Sequence, residues 1–88
     1  MANYVSKKSP FTEREEALIE LLSRSFTGRM LDARIVDVHK QEGGLAATLR
    51  FTLDDETSAD LERERIEASD ASVEVLAAAV AEDLRTAS

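Results

Sequence analysis

The chain has 88 residues, which is enough for one small domain with a single core. It contains no cysteine, which excludes a disulfide framework and thiolate metal sites and fits a reducing compartment. Its net charge of −7 is concentrated in residues 54–88, which hold eleven acids and three arginines, and charge of that sign disfavours nucleic acid and anionic membranes as partners.

The N-terminal segment, residues 1–10, is polar, and we expect it to be a flexible arm. No apolar run follows Lys7 and Lys8, so the sequence shows no signal peptide. No segment approaches the roughly 18 apolar residues of a membrane span. We therefore expect a cytoplasmic protein that does not bind membranes.

The first regular element is a predicted amphipathic helix over residues 13–27. Thr12 followed by Glu15 matches a capping box, in which the two side chains bind each other's backbone amides. Gly28 then predicts the end of the helix, because glycine commonly follows the last helical turn. A stripe at helical spacing covers one face of this helix and consists of Leu18, Leu21, Leu22, Ser25 and Phe26.

The centre of the chain, residues 34–53, predicts a β-hairpin. Two alternating apolar runs flank Gly43-Gly44, and glycine supplies the positive φ that a two-residue turn needs. In the resulting register Asp37 falls opposite Arg50 on the outward face, where Ile35 also lies. The face expected to be buried consists of Val36, Val38, Ala47, Leu49, Phe51 and Leu53.

The segment at residues 59–68 fits two alternatives. Its residues favour a helix one by one, yet Leu61 and Ile66 are five positions apart and give no helical stripe. As a strand, the segment would be a charged third strand that protects the edge of a sheet. We favour the strand and keep the helix as the alternative.

A second amphipathic helix is predicted over residues 71–86, after the capping residues of the segment 69–72. Its apolar stripe consists of Val73, Leu76, Ala77, Val80 and Leu84. The order of elements predicts a single α+β domain over residues 11–88, with a small antiparallel sheet covered on one face by two helices. The alternative is a two-stranded hairpin with three helices.

Motifs for catalysis or cofactor binding are missing from the sequence. It contains no glycine-rich phosphate or dinucleotide motif and no nucleophile elbow. His39 has one neighbouring carboxylate, Asp37, whereas metal sites usually take three or four ligands. The oxygen donors of residues 54–60 lack the spacing of a calcium loop. We therefore expect a protein that is not an enzyme and that holds no cofactor or metal.

The predicted order of elements resembles that of double-stranded-RNA-binding domains. Those domains place basic residues at the phosphates, whereas the last predicted helix carries Glu74, Glu82 and Asp83 against Arg85. The likeness is therefore topological, and we expect no direct binding of nucleic acid.

The chain is also similar to the small head–tail joining proteins of tailed phages. Those proteins have a helix, a hairpin and a capped second helix, and the matching residues are Thr27-Gly28-Arg29 and Ser69-Asp70. This resemblance implies a structural role in a larger assembly. Residues 54–68 have no counterpart in that pattern, and these short motifs do not assign the chain to the family.

The acidic run is the feature that we expect to carry function. Its nine carboxylates lie within 21 residues and are offset only by Arg63 and Arg65. Carboxylates on a rigid edge can stand in for phosphates, which predicts docking on a basic groove of a nucleic-acid-handling protein and its inhibition. The candidate partner-binding residues are Asp54, Asp55, Glu56, Asp60, Glu62, Glu64, Glu67, Asp70 and Glu74.

The alternative is that the acidic run is only a solvated face that keeps the protein soluble. The chain would then be a structural subunit or adaptor of a larger assembly, either similar to a phage connector or a homo-oligomer. A docking surface predicts binding that weakens strongly with salt, whereas a structural subunit predicts self-association through apolar surface.

Overall fold

The computed structural model of the chain describes residues 10–42, 44–68 and 70–86 and has an α+β fold. The three strands form one antiparallel sheet in the order β1-β2-β3, and the helices pack on one of its faces. The predicted fold class is therefore confirmed. Of the arm predicted over residues 1–10, residues 1–9 lie outside the described ranges. The elements are α1 (Glu13–Ser25), β1 (Leu31–Gln41), β2 (Gly44–Leu53), β3 (Ser58–Glu62), α2 (Arg63–Ala68) and α3 (Val73–Thr86).

Helix α1 begins with the predicted capping box. The Thr12 amide donates to Glu15 Oε1 at 2.9 Å, and the Glu15 amide donates to Thr12 Oγ1 at 3.2 Å. The helix ends at Ser25, two residues earlier than predicted, and a turn follows that the amide of Arg29 closes with a backbone hydrogen bond of 3.0 Å. Gly28 has a φ of +88° in this turn, a conformation that favours glycine.

The hairpin is confirmed, but its predicted register is wrong. Gln41 pairs with Gly44, so the two strands near the turn are offset by two residues from the prediction. Gly44 is therefore the first residue of β2, and Gly43 of the predicted turn lies outside the described residues. A β-bulge at Val36 shifts the register by one further residue toward the start of β1.

The bulge changes which residues of β1 contact the core. Leu31, Ala33 and Ile35 pack against it, although Ile35 was predicted to face outward. Val36 and Val38 were predicted to be buried, yet they are 42% and 55% exposed. Val36 lies at the bulge, whereas Val38 keeps its predicted face opposite Ala47 but does not pack against the core. An uninterrupted alternation cannot describe the first part of this strand, because the extra residue reverses the faces of residues 31–35. On β2 the predicted buried face is confirmed and consists of Ala47, Leu49, Phe51 and Leu53.

The segment at residues 59–68 contains both of the predicted alternatives. Strand β3 ends at Glu62, and α2 begins at the next residue, Arg63. Leu61 in the strand and Ile66 in the helix are both buried. The spacing of five residues thus marks a change of element, and the prediction of a strand was right for the first half only.

Helix α3 begins at Val73, and the hydroxyl of Ser72 caps it by accepting the Val75 amide at 3.2 Å. Its predicted stripe is confirmed, because four of its five members are buried and Val73 is partly buried. The core lies between the helices and the sheet. Its largest fully buried side chains include Phe51, Leu18, Leu22, Leu49, Ile66 and Leu84.

Candidate functional site

The structure divides the nine acidic residues of the predicted docking surface among three places. One group lies in the turn between β2 and β3. A second lies on the polar face of β3 and at the start of α2, and a third runs from the end of α2 into the first turn of α3. The nine side chains therefore do not share one face. The groups are Asp54, Asp55 and Glu56; Asp60, Glu62 and Glu64; and Glu67, Asp70 and Glu74.

Two of the three carboxylates in the turn group bind a single arginine. Arg29 binds Asp54 at 3.3 Å and Asp55 at 2.5 Å. Hydrogen bonds from Thr57, and then the charge of Arg29, hold the pKa of Asp55 below its ordinary value. Glu56 follows with a φ of +70°, in the left-handed region that favours glycine. This turn is therefore built from internal contacts.

Asp60 is also neutralised within the chain. Arg50 was predicted opposite Asp37, but it lies opposite Arg34 on β1 and opposite Asp60 on β3. Its guanidinium donates to both carboxylate oxygens of Asp60, at 2.8 Å and 3.0 Å. This hydrogen bonding lowers the pKa of Asp60 and raises that of Arg50. The pair of Asp60 and Arg50 therefore lies on the polar face of the sheet and adds no net charge to it.

Arg63 is one of the two cations within the acidic run, and its side chain points away from the acidic surface toward Glu15. Its guanidinium donates to the two carboxylate oxygens of Glu15 at 2.5 Å and 2.9 Å, and to the carbonyl of Pro10 at 3.1 Å. The Glu15 side chain is fully buried and that of Arg63 is 20% exposed. The hydrogen bond with Glu15 raises the pKa of Arg63. The cation that remains exposed in the run is Arg65.

Glu62 and Glu64 come together at the end of β3 and the start of α2. They line a groove of about 120 Å³ with His39, Thr48 and two alanines of β2. A neighbouring groove of about 410 Å³ is lined by Asp60, Glu62 and Arg65 among others. Neither Glu62 nor Glu64 has an ion-pair partner within residues 10–42, 44–68 and 70–86. We call Glu62, Glu64 and these two grooves the acidic corner.

The remaining members of the acidic run lie apart from this corner or are engaged differently. Glu67 accepts a hydrogen bond from the hydroxyl of Thr12, next to the start of α1. Glu74 lines a groove between α1 and α3. Asp70 is exposed in the loop before α3. The predicted site of nine residues is therefore reduced to a smaller candidate surface.

The groove between α1 and α3 was not identified from the sequence as a surface feature. Its volume is about 480 Å³, its floor contains Ala77 and Ala81, and its rim carries Arg24 and Glu82. The alanines of α3 were the available signal, because small side chains let two helices approach closely. The small residues of this floor are explained by the close packing of α1 and α3, so the groove does not by itself indicate a binding site.

His39 and Asp37 form a surface pair, with 3.3 Å between His39 Nδ1 and Asp37 Oδ2. In the described part of the chain, three or more histidine or acidic side chains are nowhere grouped closely enough to hold a metal ion. Among the same residues, no helix is long and apolar enough to cross a membrane. Comparison of the chain with protein-family models, with curated proteins and with solved structures found no match.

Proposed function

We propose that this chain is a small, non-enzymatic protein-binding module that docks the acidic corner on a basic surface of a partner protein. The observation that supports this is the exposure of Glu62 and Glu64 side by side, without an ion-pair partner in the described residues. Unpaired carboxylates on a rigid edge are ready to accept charge-assisted hydrogen bonds from arginine or lysine.

The arrangement of the neighbouring charges makes this corner the best candidate within the acidic run. Arg29 binds Asp54 and Asp55, and Arg50 binds Asp60, so these three carboxylates would have to break existing contacts to bind a partner. Arg63 points into the structure toward Glu15, so it does not oppose a cationic partner there. Glu62 and Glu64 carry no such cost.

A groove that binds nucleic acid is the basic surface that such carboxylates fit, because they take the place of phosphates. The chain would then compete with nucleic acid and inhibit its partner. Both grooves of the corner are open to such a partner, and β3 and α2 set the backbone positions of Glu62 and Glu64. Electrostatic docking of this kind weakens as salt screens the charges.

The test compares capture of proteins from a lysate of the source cell by three immobilised chains, at low and at high salt. The chains are the parent, the double variant Glu62→Lys/Glu64→Lys, and the matched control Asp70→Lys/Glu74→Lys. Both variants change the charge equally, and the four side chains are exposed. We expect the parent and the control to retain the same basic protein at low salt, and the Glu62→Lys/Glu64→Lys chain to lose it.

The captured protein is then purified, and its complex with the parent is challenged with DNA and RNA. Release by nucleic acid supports docking in a nucleic-acid groove. Retention of the partner by the Glu62→Lys/Glu64→Lys chain would overturn the proposal, as would equal losses in both variants. Circular dichroism of the three chains checks that each is folded.

A second candidate function, a subunit of a larger assembly, is favoured by a different observation. Strand β1 lies at an edge of the sheet, and its Val36 and Val38 are exposed. Exposed apolar side chains on a long edge strand favour pairing with another chain. Such a subunit would associate in a manner that salt affects little.

A further inference from the structure

Strand β1 is the longest strand of the sheet and lies at its edge. It runs from Leu31 to Gln41, whereas β3 at the other edge has five residues. An edge strand presents a row of unpaired N–H and C=O groups to any strand that can align with it. A strand that pairs with β1 must place its apolar and polar side chains on the same sheet faces as β1, and its charges must be complementary to those of β1. These two requirements identify the partner.

The bulge at Val36 sets the faces of β1. Arg34 and Asp37 are an odd number of positions apart, but both lie on the polar face, because Arg34 pairs with Arg50 and Asp37 pairs with Thr48. Without the bulge these two side chains would lie on opposite faces. Asp32 and His39 also lie on the polar face, opposite Thr52 and Ala46.

The order of charges on this face is complementary to the order on a second β1 that runs antiparallel to the first. In chain order they are Asp32, Arg34, Asp37 and His39. If a second β1 runs antiparallel, with a two-fold axis between Ile35 and Val36, Arg34 lies opposite the second copy's Asp37. Asp32 then lies opposite the second copy's His39. The two-fold axis produces each of these contacts twice. Residues that lie directly opposite each other on paired strands project from the same side of the joined sheet, so the paired charges can meet.

The other face of β1 is consistent with the same register. Ala33 lies opposite the second copy's Val38, and both belong to the face that carries the core. At the axis Ile35 lies beside the second copy's Val36, which is exposed in the single chain. A register shifted by two residues toward the hairpin turn keeps the faces, but it places Arg34 opposite His39 and leaves both aspartates without a cation opposite them in the second copy.

We propose that β1 pairs with β1 of a second copy of this chain in this antiparallel register, which gives a two-fold dimer with a continuous six-stranded sheet. The present contacts of the four charged side chains are exposed local pairs, Arg34 with Asp32 at 2.7 Å and His39 with Asp37 at 3.3 Å. They can exchange for contacts across the axis without burying a charge. The proposal does not rest on Glu62 or Glu64, and it gives the assembly-subunit candidate a defined contact.

Charge reversal tests the register, with the mass in solution measured by light scattering over a wide range of concentration. We expect the parent to dimerise. Arg34→Asp and Asp37→Arg should each raise the dissociation constant by on the order of tenfold or more, because each places like charges opposite each other at two positions. The double variant Arg34→Asp/Asp37→Arg should recover dimerisation, because it restores both pairs.

Cross-linking tests the same register without changing those two residues. The chain has no cysteine of its own, so introduced cysteines report only on their own positions. We expect an equal mixture of Asp32→Cys and His39→Cys chains to form a disulfide-linked dimer on mild oxidation. In the proposed register neither chain alone brings two cysteines together, so each alone should form far less of it.

Three results would overturn this proposal. A parent that is monomeric at all concentrations would mean that the bulge protects the edge from pairing, as bulges on other edge strands do. A dimer that is insensitive to both single charge reversals would use another surface. A double variant that fails to recover dimerisation, although folded, would exclude the register. The Glu62→Lys/Glu64→Lys chain should dimerise like the parent, which separates this proposal from the docking surface.

Discussion

The guanidinium of Arg63 holds both carboxylate oxygens of Glu15, at 2.5 Å and 2.9 Å, between the start of α1 and the start of α2. Glu15 thereby has two roles, because the same carboxylate accepts the Thr12 amide of the capping box. We expect Arg63→Ala to lower the free energy of unfolding by about 3 kcal/mol, because it leaves a buried carboxylate without its counter-charge. Urea denaturation measures this loss.

Arg65→Ala is the matched control for that prediction. It removes the same kind of side chain two positions later in α2, but Arg65 is exposed. We expect a change within about 0.5 kcal/mol. Equal losses in the two variants would mean that the contact between Arg63 and Glu15 contributes little beyond helix propensity.

Glu56 predicts a stabilising substitution. Its φ of +70° lies in the left-handed region, which costs a residue with a Cβ roughly 1–2 kcal/mol. Glu56→Gly should raise the free energy of unfolding by about 0.5–1 kcal/mol, because part of the gain is offset by the greater freedom of glycine in the unfolded chain. Glu56→Ala removes the same charge and keeps the Cβ, so it should give no such gain. Thermal denaturation compares the three chains.

Asp60 predicts a contribution to stability that depends on pH. Its hydrogen bond from Arg50 holds its pKa below the ordinary value, so the folded state binds this proton less readily than the unfolded state. The stabilisation is complete above the unfolded pKa of about 3.9, and it is lost as the pH falls through the lower folded pKa. Asp60→Asn should therefore be less stable than the parent at neutral pH, by about 0.5 kcal/mol for a surface pair, and this difference should shrink as the pH falls below about 3.9.

Glu62→Gln is the control for the loss of an ion pair at neutral pH. Glu62 lies on the same strand and is exposed, with no ion-pair partner in the described ranges of the chain. Its substitution should therefore leave the free energy of unfolding at neutral pH nearly unchanged. A difference between Asp60→Asn and the parent that persists undiminished in acid would contradict the role assigned to the Arg50 contact.

Phe51 anchors the core from the centre of β2, where it is fully buried. Phe51→Ala should lower the free energy of unfolding by about 3–5 kcal/mol, because it removes a large apolar side chain and leaves a cavity. Val75→Ala is the control, since Val75 is exposed on α3, and it should change stability by less than about 0.5 kcal/mol. A loss below about 1 kcal/mol for Phe51→Ala would mean that the faces of β2 are assigned wrongly.

The parts of the fold that depend on near neighbours in sequence could be predicted. The capping box of Thr12 and Glu15 joins residues three positions apart, and the buried stripe of α3 follows from helical spacing. The register of the hairpin could not be predicted, for two reasons. The bulge at Val36 leaves no mark in the alternation of residues. The glycine pair did not fix the start of β2, because Gly44 pairs with Gln41 instead of lying in the turn.

The candidate site shows the same division. The sequence identifies every carboxylate of the acidic run, but not which of them are already bound. Arg29 reaches Asp54 from 25 residues away, and Arg63 reaches Glu15 from 48 residues away. Contacts over such separations depend on the folded chain, so the reduction of nine predicted residues to the acidic corner required the structure.

The packing of α1 against α3 has a consequence for the order of events during synthesis. The three strands form a meander, so each pairs with a neighbour that leaves the ribosome shortly before or after it. Helix α1 leaves first, yet its main contacts are with α3, the last element described. We therefore expect part of its apolar stripe to stay uncovered until α3 has left the ribosome.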